Sequence, residues 1–284
     1  MQAPTRSAPR LWVAYGFAPV VGTGTAIAIV ALTVANRPGS TLALPVAALV
    51  GISFAAERMA PYEPTWNHQR NDARRDLAHV LVNECTLIAS LVLLTKVGLT
   101  DRAPWPDQLP IVVQIAFSVL VLDVGISLAH FASHRSATLW RFHAVHHSVP
   151  RFYNLNGLMK HPLHQMIEAT AGMLPLLALG IPSSIATAST ALVAAQLLLQ
   201  HSNVDMRLGR VGDWLALAPG HRQHHLADAE RGDVNFGLFL LVWDRLLGTY
   251  SPPGAADVRD GDLGVAGRPD YPVRYLAQLA EPFR

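Results

Sequence analysis

The sequence predicts an all-α integral membrane protein, a bundle of about four membrane-spanning helices and a helical hairpin, with a histidine-rich metal site on its cytoplasmic side. Hydrophobic residues make up 51% of the 284 residues and charged residues only 15%, whereas soluble domains carry roughly 25%. The hydrophobic residues form long uncharged blocks, which are typical of membrane spans. Eleven of the 13 histidines fall between residues 130 and 225, which indicates one concentrated site.

Composition also excludes several other classes of protein. The net charge is +2 and no basic run occurs, which argues against nucleic acid as a partner. The single cysteine, Cys85, lies inside a hydrophobic block. A disulfide framework and a cysteine-based metal site are therefore both excluded. The hydrophobic content excludes a disordered chain.

Four segments are uncharged or nearly so and are candidate spans, since roughly 20 apolar residues cross a bilayer. They are residues 17–35, 42–56, 77–95 and 111–129. The second has only 15 residues, the third contains His79 and Glu84, and the fourth contains Asp123. The first follows Arg6 and Arg10, but it is longer than the hydrophobic region of a secretory signal. We therefore expect it to be retained as a span.

A helical hairpin is predicted in residues 169–200, which run for 32 residues without a charge. At 1.5 Å per residue this helix would measure about 48 Å, too long for one crossing of a roughly 30 Å hydrocarbon core. Pro175 and the Gly-Ile-Pro break at 180–182 predict arms near 166–180 and 183–200. The hairpin either crosses fully or dips in and returns, and in both cases its ends emerge on the same side.

Basic residues in the loops predict the orientation, because cytoplasmic loops are enriched in Lys and Arg. The loop after the second span carries four arginines and residues 130–165 carry three arginines and one lysine, whereas the first loop has only Arg37. This alternation puts the amino terminus, residues 130–165 and residues 201–284 in the cytoplasm. The histidine clusters then share one cytoplasmic face. Two lysines against 20 arginines favour a bacterial source, and hence a bacterial inner membrane.

Eight histidines fall in three groups with helical spacing. His130 and His134 are four residues apart, which places both imidazoles on one face of a helix. The pattern H-x-x-H-H occurs twice and predicts one face for three imidazoles each time. These triplets are His143, His146 and His147, and His221, His224 and His225. His161 precedes the hairpin and His201 closes it, so both are further candidates, while His164 either faces the same way or serves the helix end.

This much imidazole predicts a metal site, because neutral imidazole suits Fe, Zn, Cu and Ni. The candidates supply more nitrogens than one ion uses, so we expect two metal ions. Asp123, two helical turns before His130, is the candidate carboxylate for orienting an imidazole N–H. A zinc hydrolase stays open, although it needs only three protein ligands and no H-E-x-x-H occurs. A metal transporter without redox chemistry also stays open, although its ligands would lie near the bilayer midplane.

Further motifs accompany the histidine triplets. They are W-R-F-H-x-V-H-H-S at 140–148, His-Pro at 161–162, Q-H-S-N at 200–203, N-F-G at 235–237 and W-D-R-L-L-G-T-Y at 243–250. The combination resembles the fatty acid hydroxylase/sterol desaturase superfamily over about residues 120–250. We therefore divide the chain into an amino-terminal transmembrane region (1–110), a hydroxylase-like catalytic domain (111–250) and a tail (251–284). The tail is rich in Pro, Gly and Asp, which predicts a cytoplasmic segment of low order.

The resemblance implies an iron-dependent membrane monooxygenase that hydroxylates, or alternatively desaturates, a C–H bond of a lipid such as a fatty acyl chain or a sterol. It implies two iron ions, for which zinc can substitute, and O2 as co-substrate. Since the chain has no flavin or haem motif, a separate reductase, ferredoxin or cytochrome would donate the electrons. The implied ligands are His130, His134, His143, His146, His147, His221, His224 and His225, with His201 and His161 as additional candidates.

The chain departs from the family pattern after its His-Pro pair. Family members often have an acidic residue there, whereas this chain has Leu163 and His164, with Glu168 a turn further on. The roles of His161 and His164 therefore stay open. Asp244 and Arg245 lack the spacing of ligands, and we expect them to be structural or to support the ligands.

Overall fold

The computed structural model describes residues 7–96 and 104–284, and within them the chain is helical, with no β-sheet and three isolated β-bridges. Loops and 3-10 turns connect its eleven described helices. They are α1 (Ala8–Val34), α2 (Gly39–Met59), α3 (Ala73–Lys96), α4 (Ile111–Arg135), α5 (Ala137–His147), α6 (Pro162–Ala178), α7 (Ser183–Gln200), α8 (Ala218–His224), α9 (Ala229–Gly232), α10 (Val242–Leu247) and α11 (Tyr275–Ala280).

Four described helices, α1, α2, α4 and α7, are long and apolar enough to cross a membrane. Three of the predicted spans coincide with parts of α1, α2 and α4 to within one residue, and the predicted hairpin corresponds to α6 and α7. The predicted span 77–95 is helical as part of α3, but α3 is not one of the four. Its side chains Asp76, His79 and Asn83 are buried against other parts of the protein. One face of the first half of α3 therefore packs against other parts of the protein rather than against lipid.

Helices α4 and α6 cross at unusually short range, because each has a glycine at the contact. A Cβ atom on Gly125 would lie 2.4 Å from the Ala171 carbonyl oxygen and 2.7 Å from Gly172 Cα. A Cβ atom on Gly172 would lie 2.9 Å from Leu122 Cδ2. Small residues let helix backbones approach closely in membranes, where packing rather than water exclusion holds helices together. This crossing fixes the end of α4, which carries His130 and His134, relative to α6.

The amino-terminal helices hold the loops that adjoin the histidine-bearing helices. Glu57, at the end of α2, is 2% exposed and accepts hydrogen bonds from the backbone N–H groups of Asn154 (2.9 Å) and Asn203 (3.1 Å). Asp72, just before α3, accepts from the Arg151 guanidinium. Buried carboxylates are costly unless they are paired. The region predicted as 1–110 is therefore bonded directly to the histidine-bearing part of the chain.

Residues 251–284 differ from the low order that their composition predicts. This segment forms α11, and Gln278 on that helix is fully buried. The Gln278 side-chain amide donates to Ser148 Oγ (2.9 Å) and to the Pro272 carbonyl (2.7 Å), and its oxygen lies 2.9 Å from His79 Nε2. The Pro, Gly and Asp residues form ordered turns instead, such as the one with Gly254 at φ 84°. Turn-forming residues occur in ordered and disordered loops alike, so composition alone does not separate the two.

We predict that Gly125→Ala destabilises the protein, because the added methyl group meets a backbone carbonyl that cannot move aside. Overpacking of this kind costs about 1–3 kcal/mol. Unfolding of the detergent-solubilised protein, followed by intrinsic fluorescence during heating, should show a midpoint several degrees lower. The matched control is Gly51→Ala on α2, where no atom lies within 4 Å of the new Cβ. Equal midpoints for the two variants would contradict the close crossing.

Candidate metal centre

Nine of the ten predicted ligands converge in two groups at one end of the bundle. In each group the candidate ligand atoms lie within 4.8 Å of one another. The first histidine group consists of His130, His134, His143, His147 and His224, and the second consists of His146, His201, His221 and His225. The residues come from the end of α4, from α5, from the residue after α7, and from α8 and the residue after it. Eight of the nine, all except His134, have a ring nitrogen within 2.9–3.2 Å of another imidazole of the same group.

Each H-x-x-H-H motif serves both groups, although its spacing predicts only that the three imidazoles lie on one helix face. His143 and His147 belong to the first group, while His146 belongs to the second. In the other motif the assignment is reversed, and His224 alone joins the first group. A helix turns by 100° per residue, so positions i+3 and i+4 diverge to opposite sides of position i. A helix that lies between two sites can therefore contribute to both.

Main-chain carbonyl oxygens orient four of these imidazoles through their outer nitrogens. In the first group, His130 Nδ1 donates to the Phe236 carbonyl (3.0 Å) and His224 Nδ1 donates to the Val234 carbonyl (2.8 Å). In the second group, His146 Nδ1 donates to the Met159 carbonyl and His201 Nδ1 donates to the Leu197 carbonyl, each at a distance of 2.9 Å. A carbonyl oxygen only accepts, so Nδ1 carries the proton and Nε2 presents its lone pair inward. This is the arrangement that metal-binding histidines need.

The inward nitrogens fit a metal ion better than they fit each other. His130 Nε2 and His224 Nε2 lie 2.9 Å apart, and His146 Nε2 and His201 Nε2 lie 3.1 Å apart. Within each pair both nitrogens bear lone pairs, so the contact is repulsive unless a cation accepts both. Two nitrogens that bind one ion at about 2.0–2.1 Å are themselves roughly 3 Å apart. His134 Nε2 is also buried and has no hydrogen-bond partner among the described residues.

The imidazoles are held in the neutral form that binds metals. Burial, followed by the neighbouring imidazoles, lowers the pKa of His146, His221 and His225 well below the usual value for histidine. Burial likewise lowers the pKa of His224 well below that value, and it lowers the pKa of His201 to about 3. These rings are therefore uncharged near neutral pH and have a nitrogen free for a metal ion.

Asp123 does not contact an imidazole, which corrects the role expected from its spacing. Its carboxylate accepts hydrogen bonds from the Phe239 backbone N–H and from the Trp243 indole N–H, each at a distance of 2.8 Å. It therefore fixes residues 235–241, which we name the N-F-G loop, and the Phe236 carbonyl of this loop in turn orients His130. Spacing along α4 identified a buried carboxylate near the site but could not reveal that a loop separates it from the histidine.

Further polar side chains clamp the same loop. Asp244 accepts from the backbone N–H groups of Phe236 (2.6 Å) and Gly237 (2.9 Å), and Gln200 donates to the Gly237 carbonyl (2.8 Å). A Cβ atom on Gly237 would lie 2.3 Å from the Leu240 carbonyl oxygen, so only glycine fits there. The expectation that Asp244 is structural or supports the ligands agrees with these contacts.

One imidazole has a carboxylate partner that the sequence did not reveal. His134 Nδ1 lies 3.3 Å from Asp233 Oδ1, and Asp233 also pairs with Arg135. The basic neighbours hold the pKa of Asp233 down, at about 2. Asp233 lies almost 100 residues from His134 in the sequence, and no helical spacing connects them. Its position two residues before the N-F-G motif is the one signal that could have drawn attention to it.

His161 is the predicted ligand that lies outside both groups. Its Nδ1 accepts from the Leu163 backbone N–H (3.2 Å) as the cap of α6, and its Nε2 donates to the Leu279 carbonyl (3.2 Å). Both ring nitrogens are thus occupied by main-chain groups. The histidine that approaches the site is His164, which forms a third cluster with His143 and Glu168. The chain departs from the family pattern after His-Pro, but His164 and Glu168 of that segment still lie next to His143 of the first group.

Two cavities that share no lining residue lie close to the centre. One cavity, of about 410 Å³, is lined by His134, His147 and His224 of the first group, together with Trp140 and Asp233, and we name it the polar cavity after these imidazoles and the carboxylate. The other cavity, of about 190 Å³, lies among α3, α4, α6 and α7 and is mostly apolar. The polar cavity therefore reaches three histidines of the first group directly, and the apolar cavity is separate from it.

Comparisons with known proteins agree with these features. Residues 115–249 match the family model for fatty acid hydroxylase. The ornithine lipid hydroxylase OlsE of Rhizobium tropici is 33% identical to this chain, over 82% of this chain and 73% of that protein. Alkylglycerol monooxygenases are more distant. The protein of Danio rerio is 32% identical and the protein of Homo sapiens 28% identical, over 47% and 46% of this chain and 29% of each relative.

No solved structure significantly matches this chain. The similarity to OlsE nevertheless extends well beyond the histidine motifs into the amino-terminal helices, because it covers most of both chains. The matched family segment contains all nine histidines of the two groups and the N-F-G loop that orients them. The chain therefore belongs to the fatty acid hydroxylase family.

Proposed function

We propose that this protein is a membrane-bound di-iron oxygenase that hydroxylates a C–H bond of a lipid, using O2 and two electrons from a separate protein. The observation that carries the proposal is the presence of two histidine groups. Within each group, Nε2 atoms that bear lone pairs lie about 3 Å apart. Family membership and the named relatives, a lipid hydroxylase and alkylglycerol monooxygenases, support a lipid substrate. Four helices suited to crossing a membrane support access to it.

Each histidine group is suited to one iron ion. The first group offers five imidazoles and the second offers four, all of them neutral nitrogen donors. Imidazole suits iron and zinc alike, so zinc would occupy the same positions. When bound, the two iron ions would supply the redox chemistry that activates O2 and breaks an unactivated C–H bond. One oxygen atom enters the C–H bond, and the other leaves as water with two electrons and two protons.

The protein's own residues contribute orientation and exclusion of water. The carbonyls of Val234, Phe236, Met159 and Leu197 fix four ligands before any metal ion binds. All members of both groups except the half-buried His134 are buried, and an enclosed site protects reactive species from side reactions. Held in this way, the ligands need little reorganisation during turnover.

We further propose that the centre faces the cytoplasm of a bacterial inner membrane, where a soluble or peripheral donor supplies electrons. The support is the distribution of Arg and Lys among the loops. The polar cavity at His134, His147 and His224 gives such a donor an approach to the first group. The apolar cavity is separate, so substrate and electrons need not share one entrance.

Replacing one histidine of each group tests the two-metal arrangement. Protein purified in detergent from iron-replete cells should contain about two Fe or Zn ions per chain. His224→Ala removes a ligand of the first group and His201→Ala removes one of the second, so each variant should lose about one ion and the double variant nearly all. Inductively coupled plasma mass spectrometry on quantified protein gives the ratio.

The control for this experiment is His161→Ala, which should retain both ions because His161 uses its nitrogens on main-chain groups. A wild-type content of one ion or none would exclude the dinuclear centre. Two metal ions per chain that persist in the double variant would also exclude it.

Isotope labelling tests the oxygenase reaction. Cells that express the protein under 18O2 should accumulate a lipid that carries one 18O atom, whereas cells that express the His201→Ala/His224→Ala variant should not. Mass spectrometry of whole lipid extracts detects the labelled product whichever lipid is the substrate. A new product with oxygen from water, or a product formed without O2, would instead indicate a hydrolase.

A further inference from the structure

The apolar cavity is open toward the region that would face lipid. Its walls come from four helices and include Leu87, Leu122, Ile126, Met173, Val193 and Leu197. On α6, Met166 lines the cavity and is 42% exposed, and the neighbouring outer face carries Leu163 and Leu174, which are also exposed. An apolar chain could enter here from the bilayer without crossing water.

At its inner end this cavity meets the histidines. A much smaller cavity, of about 10 Å³, is lined by imidazoles of both groups, among them His130 and His201. The two cavities share four lining residues, namely Ile126, Lys160, Glu168 and Leu197. The smaller space holds about one water molecule. Lys160 and Glu168 therefore lie between the apolar cavity and the metal centre.

Lys160 and Glu168 form a buried ion pair, with side chains only 4% and 5% exposed. The Lys160 carbonyl accepts hydrogen bonds from His79 Nδ1 (2.9 Å) and Asn83 Nδ2 (2.8 Å), so α3 fixes the position of this residue. Burying two charges costs free energy that a hydrophobic pair would not. Because a hydrophobic pair would pack here at lower cost, we expect the ion pair to have a role other than packing.

The ion pair has unused hydrogen-bonding capacity. An ammonium group has three N–H donors, and within the described residues Lys160 donates one hydrogen bond, to Glu168 Oε2. The other carboxylate oxygen, Oε1, lies 3.8 Å from His164 Nδ1, too far for a hydrogen bond. His164 Nδ1 itself is buried and has no partner in the described structure. Donors and an acceptor thus face the entrance to the centre.

We propose that the Lys160–Glu168 pair recognises a polar group of the lipid, so that the oxidised C–H bond lies within a few bonds of a hydroxyl, ether, ester or amide group. The proposal rests on the proposed function of the histidine centre. A hydroxyl or carbonyl group would complete the hydrogen bonds of the pair, whereas a plain methylene segment would leave both charges desolvated beside it. The substrate class is a lipid oxidised near its polar group rather than in the middle of a hydrocarbon chain.

The size of the cavity agrees with this substrate class. A cavity of about 150 Å³ holds a benzene molecule, so about 190 Å³ accommodates only a short segment of an alkyl chain. The remainder of a long-chain lipid would stay in the bilayer. A lipid held in this way presents the carbons near its polar group to the imidazoles.

Thiol protection tests the recognition without relying on turnover. In the full chain, Cys85→Ser removes the one cysteine, and Gln165→Cys places a thiol in the cavity wall near Lys160. The probes are 1-O-hexadecylglycerol and hexadecane, each at set mole fractions in lipid nanodiscs, and the measurement is the rate of N-ethylmaleimide labelling. We expect the alkylglycerol to reach half-maximal protection at a mole fraction at least about threefold lower than hexadecane.

Two variants complete the experiment. Adding Lys160→Met and Glu168→Gln should abolish the difference between the probes, because the polar group loses its partners. Ala266→Cys, in the wall of the polar cavity and likewise half-buried, should not be protected by either probe. Equal protection by both probes in the starting protein would overturn the proposal, as would a difference that survives the double substitution.

Metal analysis of the same samples separates this proposal from the proposed function. Lys160→Met/Glu168→Gln should retain the wild-type metal content. A loss of metal would show that Glu168 is a ligand, since it clusters with His143 and His164, and would overturn the recognition role. If protection behaves as expected but the wild-type protein lacks two metal ions, the oxygenase proposal alone fails.

Discussion

The site depends on how the outer nitrogens of its histidines are held. Four imidazoles donate through Nδ1 to main-chain carbonyls, which fixes both the tautomer and the direction of Nε2. The surrounding polar contacts bring those carbonyls into place. Asp123 and Asp244 hold the N-F-G loop from two sides, and Glu57 holds the loops at Asn154 and Asn203. These buried carboxylates act on the backbone rather than on a metal ion.

A helical membrane protein makes this arrangement possible by gathering polar groups at one end of an apolar bundle. The spanning helices need only apolar faces and one close crossing, at Gly125 and Gly172. The short helices α5 and α8 then lie between the two histidine groups, and each contributes to both. The stacked rings of His147 and His225, with centroids 4.6 Å apart, come from different motifs and different groups. The two groups are therefore neighbours within one packed cluster.

Local patterns were enough to predict the helical class, three of the four spans and nine histidines that converge, because hydropathy and helical spacing are properties of short segments. They could not divide each H-x-x-H-H between two groups, since that depends on how α5 and α8 pack. His161 was predicted as a ligand because it precedes the hairpin, but its ring caps α6 and donates to the Leu279 carbonyl instead. Asp233 and the buried contacts of Gln278 depend on residues distant in sequence, and composition misjudged the tail for the same reason.

The use of backbone oxygens as partners has a consequence for how the sequence can vary. The main-chain acceptor itself persists when the side chain at Val234, Phe236, Met159 or Leu197 changes, so this hydrogen bond does not specify those side chains. The constraint on sequence falls instead on glycines that lie against these carbonyl oxygens. A Cβ atom on Gly157 would lie 2.2 Å from the Leu197 carbonyl oxygen, the same oxygen that orients His201. The hydrogen bond to His201 therefore restricts the residue beside the acceptor rather than the acceptor itself, because a single methyl group at Gly157 would meet the oxygen that orients the ring.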